Sequence, residues 1–420
     1  MIRGGGTHLD DALAISLNKR KSHSTIRSLT VPPPNSVDFS SNDFLSLATC
    51  QELRDLYLAE LQRGPATTRL GSGGSRLLDG NSTYAERLED DIAAFHRAEK
   101  GLLCNSGFDA NTGLFSCLPQ PGDAIIYDEF IHASVHDGMR LSRAGQKVAF
   151  AHNSANAFKT ALRRLIDGDE LIRSGRRNVF VAVEAVYSMD GDVAPLKDIV
   201  DAVHELLPRG NGHLIVDEAH SNGVLGPNGR GLVSQLGLED EVLVRLHTFG
   251  KALACNGAIL LCSPLIRQYL INYARPLIYT TFLSYPSLAA IRASYTYLQR
   301  GESEALSQNL QSLTKHLHTL LQTLIERLPK TDPILSVPSQ APQSPILSLL
   351  TPAPKQLAAY CQKRGFVVRG IVPPTVPAGS ERVRICLHAG NTREEVEGLV
   401  KVVEEWVVSE LGLTGVRAML

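Results

Sequence analysis

"NVFVAVEAVYSMDGD" (Asn178–Asp192) and "HLIVDEAH" (His213–His220) are the two stretches on which the fold turns. Each is a short apolar run that stops at an acid, Glu184 in the first and Asp217 in the second. A continuous apolar run of this length reads as a strand buried on both faces. Five more runs share the shape: "GLLC" (Gly101–Cys104), "DAIIYD" (Asp123–Asp128), "KVAFA" (Lys147–Ala151), "EVLVRLHTF" (Glu241–Phe249) and "GAILLC" (Gly257–Cys262). Helical patterns follow most of them. Strands alternating with helices predict an α/β fold with a mostly parallel central sheet covered on both faces. Ligands in such sheets bind outside the carboxyl ends of the strands, so the residues that close each run are the ones to weigh for chemistry.

The flanks are organised differently. Residues 1–52 read as an N-terminal helix and arm, broken by "VPPPN" (Val31–Asn35), and residues 53–298 as the large domain. Within the large domain a helix is expected over Leu53–Leu61, and Ser82 or Thr83 is placed to cap the helix that follows the loop "LGSGGSRLLDGNSTY" (Leu70–Tyr84). Residues 299–420 read as a small α+β domain: one long helix over Ser303–Leu328, a Pro-rich segment with the strand "PILSLL" inside it, a helix, two strands, "FVVRGIV" and "RVRICLH", and a final helix over Thr392–Leu411.

Composition narrows the class. With 420 residues and 43% apolar content a sizeable core is available. Lys and Arg number 42 against 43 Asp and Glu, so no charge footprint points to nucleic acid or a membrane surface. Small molecules and a second copy of the chain are the expected partners. The seven cysteines are scattered and odd in number, which points to reduced thiols rather than disulfides or zinc. No secretory h-region and no membrane-length apolar run is evident, so a cytoplasmic location is expected. The ending Ala418-Met419-Leu420 is a weak relative of a peroxisomal signal, with methionine in place of the basic residue.

Several run-closing residues have two readings. Asp217 can cap a helix, ligate a metal or pair with a cationic ring nitrogen. Glu184, at a buried strand end, needs a partner. Ser188, before Asp190-Gly191, is either a turn residue or a donor to a ligand oxygen. Ser106, Gly107 and Phe108 lie between a predicted strand and a predicted helix, where free N–H groups attract an anion and glycine permits close approach. Neither G-x-G-x-x-G nor G-x-x-x-x-G-K-S/T is present there, which sets nucleoside triphosphates aside. His132 and His136 share a helix face at zinc-like spacing, yet no glutamate follows His132 and no third ligand is evident, so no metal is expected. Lys251, in "HTFGKALACNG" (His247–Gly257), is either an ordinary surface lysine or a nucleophile kept partly dry. Its company favours the second: pyridoxal phosphate (PLP) requires a lysine, an acid for its pyridine nitrogen and a phosphate cradle. Partial desolvation would lower the amine's pKa and make it nucleophilic.

Taken in order, "VDFSSNDFLSL", "GSGGSRLLDGNSTY", "NSGFDAN", "IHAS", "SMDGDVAPL", "VDEAHSNGVLGPNGRG", "HTFGKA", "RPLIYTT" and "PPTVPAGSERVRI" resemble the α-oxoamine synthases, from about Val37 to Asn391. That family consists of fold-type I PLP enzymes that join an amino acid to an acyl thioester and release carbon dioxide. The resemblance implies that Lys251 links to the cofactor and later serves as base at the amino-acid Cα. It implies that Asp217 pairs with the pyridine nitrogen, that His132 stacks on the ring, and that Ser188 and His220 contact the phenolic oxygen. Ser106, Gly107, Phe108 and Thr248 would hold the phosphate, joined by Thr280 or Thr281 from the second subunit of a homodimer. Arg384 would bind the substrate carboxylate, with Asn42 nearby.

Within the family the likeness leans to the members that condense L-alanine with pimeloyl-CoA, or the carrier-protein thioester, into 8-amino-7-oxononanoate for biotin. The rival readings are a synthase using another amino acid or a longer or polyketide thioester, a PLP-free non-catalytic partner subunit, and a lyase or aminotransferase on the same fold. Two departures bear on this. Val372 stands where bacterial members often carry arginine, with Arg369 as a substitute, and Ser221 follows "DEAH" where glycine is common, placing a hydroxyl near the cofactor edge.

Overall fold

Strand Val179–Glu184 shows how the sheet is built. Val179, Val181 and Val183 point into one apolar cluster, with Phe158, Leu162, Ile199 and Val203, while Phe180 and Ala182 point into another, with Leu114, Phe115, Val135 and Met139. Side chains alternate along a strand, so a run that must face helices on both sides has no place for a polar residue. Burying each such Val, Leu, Ile or Phe contributes about 1.5–3 kcal/mol, which is why these runs are unbroken.

The computed structural model describes residues 7–23, 25–64, 69–328 and 334–410. The first six residues of the expected arm, the opening of the Pro-rich segment, Leu411 of the expected final helix and the Ala418-Met419-Leu420 ending lie outside these. The strands in chain order are β1 (Val37–Asp38), β2 (Lys100–Cys104), β3 (Ala124–Asp128), β4 (Gln146–Phe150), β5 (Val179–Glu184), β6 (Gly212–Asp217), β7 (Val242–Thr248), β8 (Ala258–Cys262), β9 (Ile346–Leu350), β10 (Phe366–Val367), β11 (Arg369–Ile371) and β12 (Arg382–Cys386). The central sheet has order β2-β8-β7-β6-β5-β3-β4. From β7 to β4 it is parallel; β8 runs antiparallel to both its neighbours. The expected mostly parallel α/β sheet is present. No helix among the described residues is long and apolar enough to cross a membrane.

The chain divides into two compact units, Met1–Ser36 and Val37–Leu420. In the first, helix α1 (His8–Ser22) is capped by Thr7, whose hydroxyl accepts the Asp10 N–H while Asp10 accepts the Thr7 N–H, and it buries none of its residues. In the second, the C-terminal part forms an antiparallel sheet of order β11-β12-β9. The expected long helix runs Ser303–Glu326 and the last helix Arg393–Glu410. The stretch "FVVRGIV", expected as one strand, is split at Val368. Phe366–Val367 pairs with β1, whereas Arg369–Ile371 pairs with β12. The two partners belong to different sheets, so the chain breaks its pairing between them.

This split positions the site. Residues that follow β1 run along the C-terminal sheet, with the Cys386 N–H donating to the Phe39 carbonyl at 2.9 Å and the Ala389 N–H to the Phe44 carbonyl at 2.8 Å. Asn42 is thereby carried to β12.

Candidate active site

The site forms where β5, β6 and β7 end. Glu184 and Asp217 are register partners at the ends of β5 and β6. After β7 the chain turns back on itself, with the Phe249 N–H bonded to the Gly257 carbonyl and the Cys255 N–H to the Phe249 carbonyl. This loop carries Lys251, whose Nζ lies 2.8 Å from His220 Nε2. Part of Lys251 reaches the surface, yet its nitrogen lies deep enough that burial draws its pKa from 10.5 to about 8. Asp217 and Glu184 oppose that fall, and Arg384 reinforces it. Glu184 is itself pushed well up by burial and by the charge of Asp217 beside it. His220 is held well below its ordinary pKa by burial and then by Lys251 and Arg384, so its ring is neutral.

Asp217 has two partners. The Ala219 N–H donates to its Oδ1 at 2.9 Å, and Asn111 Nδ2 donates to its Oδ2 at 2.8 Å. No helix follows Asp217, which overturns the helix-cap reading. Asn111 also donates to Ser134 Oγ at 3.0 Å, and Ser134 Oγ lies 2.7 Å from His132 Nδ1. The Ser134 N–H donates to the same His132 nitrogen, so the His132 proton resides on Nε2. Burial lowers the pKa of His132, in keeping with a neutral ring for stacking. His132 also caps the helix Ala133–Leu141, its ring nitrogen accepting the Ser134 N–H.

Ser106, Gly107, Phe108 and Thr248, the residues expected at the phosphate, lie at one turn. Ser106 caps the helix Gly107–Cys117, its hydroxyl accepting the Asp109 N–H at 3.0 Å. A side chain on Gly107 would reach within 3.6 Å of Thr248 at the end of β7, which shows how closely the two meet. The N–H groups of Gly107 and Phe108 have no acceptor among the described residues and stand at a helix N-terminus, where an anion is favoured. The Phe108 ring is exposed and lies edge-on to His132. Thr280 and Thr281 are exposed, and the Thr281 carbonyl accepts from Asn105 Nδ2 of the same chain at 2.6 Å.

Arg384 is buried on β12. Its Nε donates to the Ser188 carbonyl, and its Nη2 donates to Asn42 Oδ1 at 2.9 Å. Its Nη1 has no partner among the described residues. The structure thus brings together Lys251, His220, Asp217, His132, Ser188, Arg384 and Asn42. One expectation shifts. The Ser221 hydroxyl turns to Glu218, which also accepts the Leu232 and Val233 N–H groups at 2.8 Å, so it serves that turn rather than the cofactor edge. His136 packs edge-on to Tyr127.

Asn111 had no role in the sequence reading, and Glu184 had only an unmet need for a partner. For Asn111 the one available signal was its place on the helix that begins at the anion turn. The residues present fit PLP. A lysine of lowered pKa, a buried carboxylate and an anion cradle converge, and His220 Nδ1 is buried with no partner, a polar atom left for a ligand to satisfy.

Comparisons with known proteins give the family. The family model described as aminotransferase class I and II matches residues 34–403. A protein named 8-amino-7-oxononanoate synthase, from Emericella nidulans, is 54% identical over 399 residues, covering 95% of this chain and 96% of its own. Aminoacyl transferase sphA from Aspergillus fumigatus is 43% identical, covering 87% of this chain and 80% of its own. Among solved structures, Sphingomonas wittichii serine palmitoyltransferase superposes with TM-score 0.81 at 24% identity, over 97% of this chain and 100% of its own. The 8-amino-7-oxononanoate synthase of Francisella tularensis superposes at 0.69 with 26% identity, over 90% and 99%. The chain belongs to the aminotransferase class I and II family, and within it to the α-oxoamine synthases, which are PLP-dependent acyltransferases.

Proposed function

We propose that the protein condenses L-alanine with a pimeloyl thioester, releasing carbon dioxide and giving 8-amino-7-oxononanoate for biotin. The observation that carries the chemistry is that Lys251, Asp217 and Arg384 lie close enough for both charged partners to act on the Lys251 amine, with Arg384 Nη1 unspent. The near full-length likeness to the Emericella nidulans protein supports this choice of substrates.

The cofactor supplies an electron sink that makes loss of a Cα proton and of carbon dioxide feasible. Lys251, with an amine of pKa about 8, takes a proton from Cα and returns one near neutral pH. Asp217, fixed by Asn111 and the Ala219 N–H, offers its carboxylate to the ring nitrogen. His132, fixed in one tautomer by Ser134, offers a neutral face for stacking. Arg384 orients the amino-acid carboxylate through its guanidinium fork. Phe44, packed beside His220, helps exclude the water that would hydrolyse the thioester. Arg369 stands opposite Arg384 across β11 and β12, so both side chains rise from one sheet face, and Arg369 reads the distal carboxylate in place of the arginine absent at Val372. The protein acts as a homodimer in which Thr280 or Thr281 of the partner subunit completes the phosphate site.

A longer or polyketide-derived thioester is the second reading: the likeness to proteins named aminoacyl transferase sphA leaves the substrates open, and Val372 departs from the arginine expected there. A panel of thioesters with L-alanine decides, read by free CoA and product mass. Release with pimeloyl-CoA is expected, lost in Lys251→Ala, and Arg369→Ala should erase the preference over octanoyl-CoA. Release only with longer chains, or only with another amino acid, overturns the assignment.

A further inference from the structure

The carboxyl ends of β3, β4 and β5 hold a charged cluster that the chemistry above does not use. His152, just past β4, lies between two carboxylates: Nδ1 is 2.8 Å from Asp128 Oδ1 and Nε2 is 2.9 Å from Asp192 Oδ2. Both ring nitrogens face acceptors, so the ring donates from both and is an imidazolium. Burial disfavours that charge, but the bonds to Asp128 and Asp192 outweigh it and push the pKa up to about 10. Phe130 stacks on the ring at 4.4 Å and Tyr187 meets it edge-on at 4.5 Å. Of the other charged groups facing it, Glu129 accepts the His152 N–H at 2.9 Å, and Asp190 is paired with Arg382 of β12. Ligand atoms of His152, Asp190 and Asp192 lie within 4.8 Å of one another, a metal-like spacing. Here, however, Nε2 is spent on Asp192 and Asp190 on Arg382.

The brace ends at a stiff turn. Asp128 is fully buried and also accepts the Asn153 N–H at 2.8 Å, so it is a fixed post at the end of β3. Asp192 closes the turn that follows β5, where the Tyr187 N–H bonds the Asp192 carbonyl and the Gly191 N–H bonds the Tyr187 carbonyl. Ser344 Oγ donates to the Gly191 carbonyl at 2.6 Å. The same turn carries Ser188, whose carbonyl accepts from Arg384 Nε. A turn held this tightly moves as one piece, so the position of Asp192 sets the position of the Ser188 carbonyl.

We propose that His152 is a positioning residue for the amino-acid substrate: clamped between Asp128 and Asp192, it fixes the 188–192 turn, and through the Ser188 carbonyl it aims Arg384. This rests on the assignment of Arg384 to the substrate carboxylate made above.

The test is a double-mutant cycle in the holoenzyme, with His152→Gln and Arg384→Ala alone and together. His152→Gln is expected to raise the amino-acid KM roughly tenfold, the scale of losing a charge-assisted contact, with the thioester KM held within about twofold. The absorbance of the lysine-bound cofactor is expected to be unchanged. In the Arg384→Ala background, His152→Gln should add less than about twofold, because residues acting through one another are not additive. Additive losses, or an equal rise in both KM values, overturn the proposal. Should His152→Gln lose the cofactor band, Asp192→Asn, which removes one anchor at nearly constant size, takes its place in the cycle; non-additive losses then support the proposal and additive ones overturn it. An enzyme that ignores L-alanine but accepts another amino acid sinks the substrate assignment instead, and the cycle is then read with that amino acid.

Discussion

Capture of PLP by the apoprotein reports directly on Lys251, because the amine must lose its proton before it attacks the aldehyde. Burial draws this amine from 10.5 to about 8, with Asp217 opposing the fall. At pH 7 a group of pKa about 8 is roughly one-tenth deprotonated and one of 10.5 about 0.03%, a ratio of roughly 300 in available nucleophile. The capture rate should therefore climb about tenfold per pH unit below 8 and flatten above it. Stopped-flow mixing of apoprotein and cofactor from about pH 6 to 10, followed at the absorbance of the lysine-bound form, measures this profile. A rate still climbing in proportion to hydroxide at about pH 9.5 would mean an ordinary lysine and refute the reasoning.

Two variants sharpen the sign. The Asp217 carboxylate favours the charged ammonium, so Asp217→Asn should move the midpoint to lower pH. Glu184 also favours the ammonium, after Asp217, so Glu184→Gln should move the midpoint in the same direction. Stability follows the same sign. A lysine whose folded pKa is lowered opposes folding of the apoprotein below about pH 8, and that penalty fades between 8 and 10.5 as the amine becomes neutral in both states.

Two further outcomes are expected. Asn111→Leu leaves Asp217 Oδ2 and Ser134 Oγ without their shared donor, so cofactor affinity should fall roughly ten- to hundredfold in equilibrium dialysis; an unchanged affinity would remove Asn111 from the site. Gly191→Ala places a Cβ at 2.1 Å from the Ile346 carbonyl oxygen at a residue with φ of +75°, so stability should drop by about 2–4 kcal/mol, seen as a Tm lower by several degrees. An unchanged Tm would show that β9 yields freely to the turn.

The parallel core was open to reading because its rule is local. Val179 to Val183 must all be apolar when helices cover both faces, and the acids that end β5 and β6 stand out by contrast. Ser106 and Gly107 were readable for the same reason, since a cap and a glycine at a strand-to-helix turn are properties of neighbours in sequence. The antiparallel course of β8 was not: its residues satisfy the same burial rule in either direction, and only pairing with β2 and β7 shows which holds. The break at Val368 depends likewise on which strands meet residues 366–371.

By itself, then, the sequence determined the α/β class, the placement of Asp217 at a strand end and of Lys251 just past one, and the set of residue types that PLP requires. Only the tertiary structure decided what those residues touch. Asn111 meets Asp217 across 106 positions and Asn42 meets Arg384 across 342. His152 joins Asp128 to Asp192 through bonds spanning 24 and 40. Each of these is a polar side chain that looks ordinary in the chain. It gains a role only when folding removes water and leaves one partner within reach, because a buried polar group must be paired and sequence spacing does not say with what.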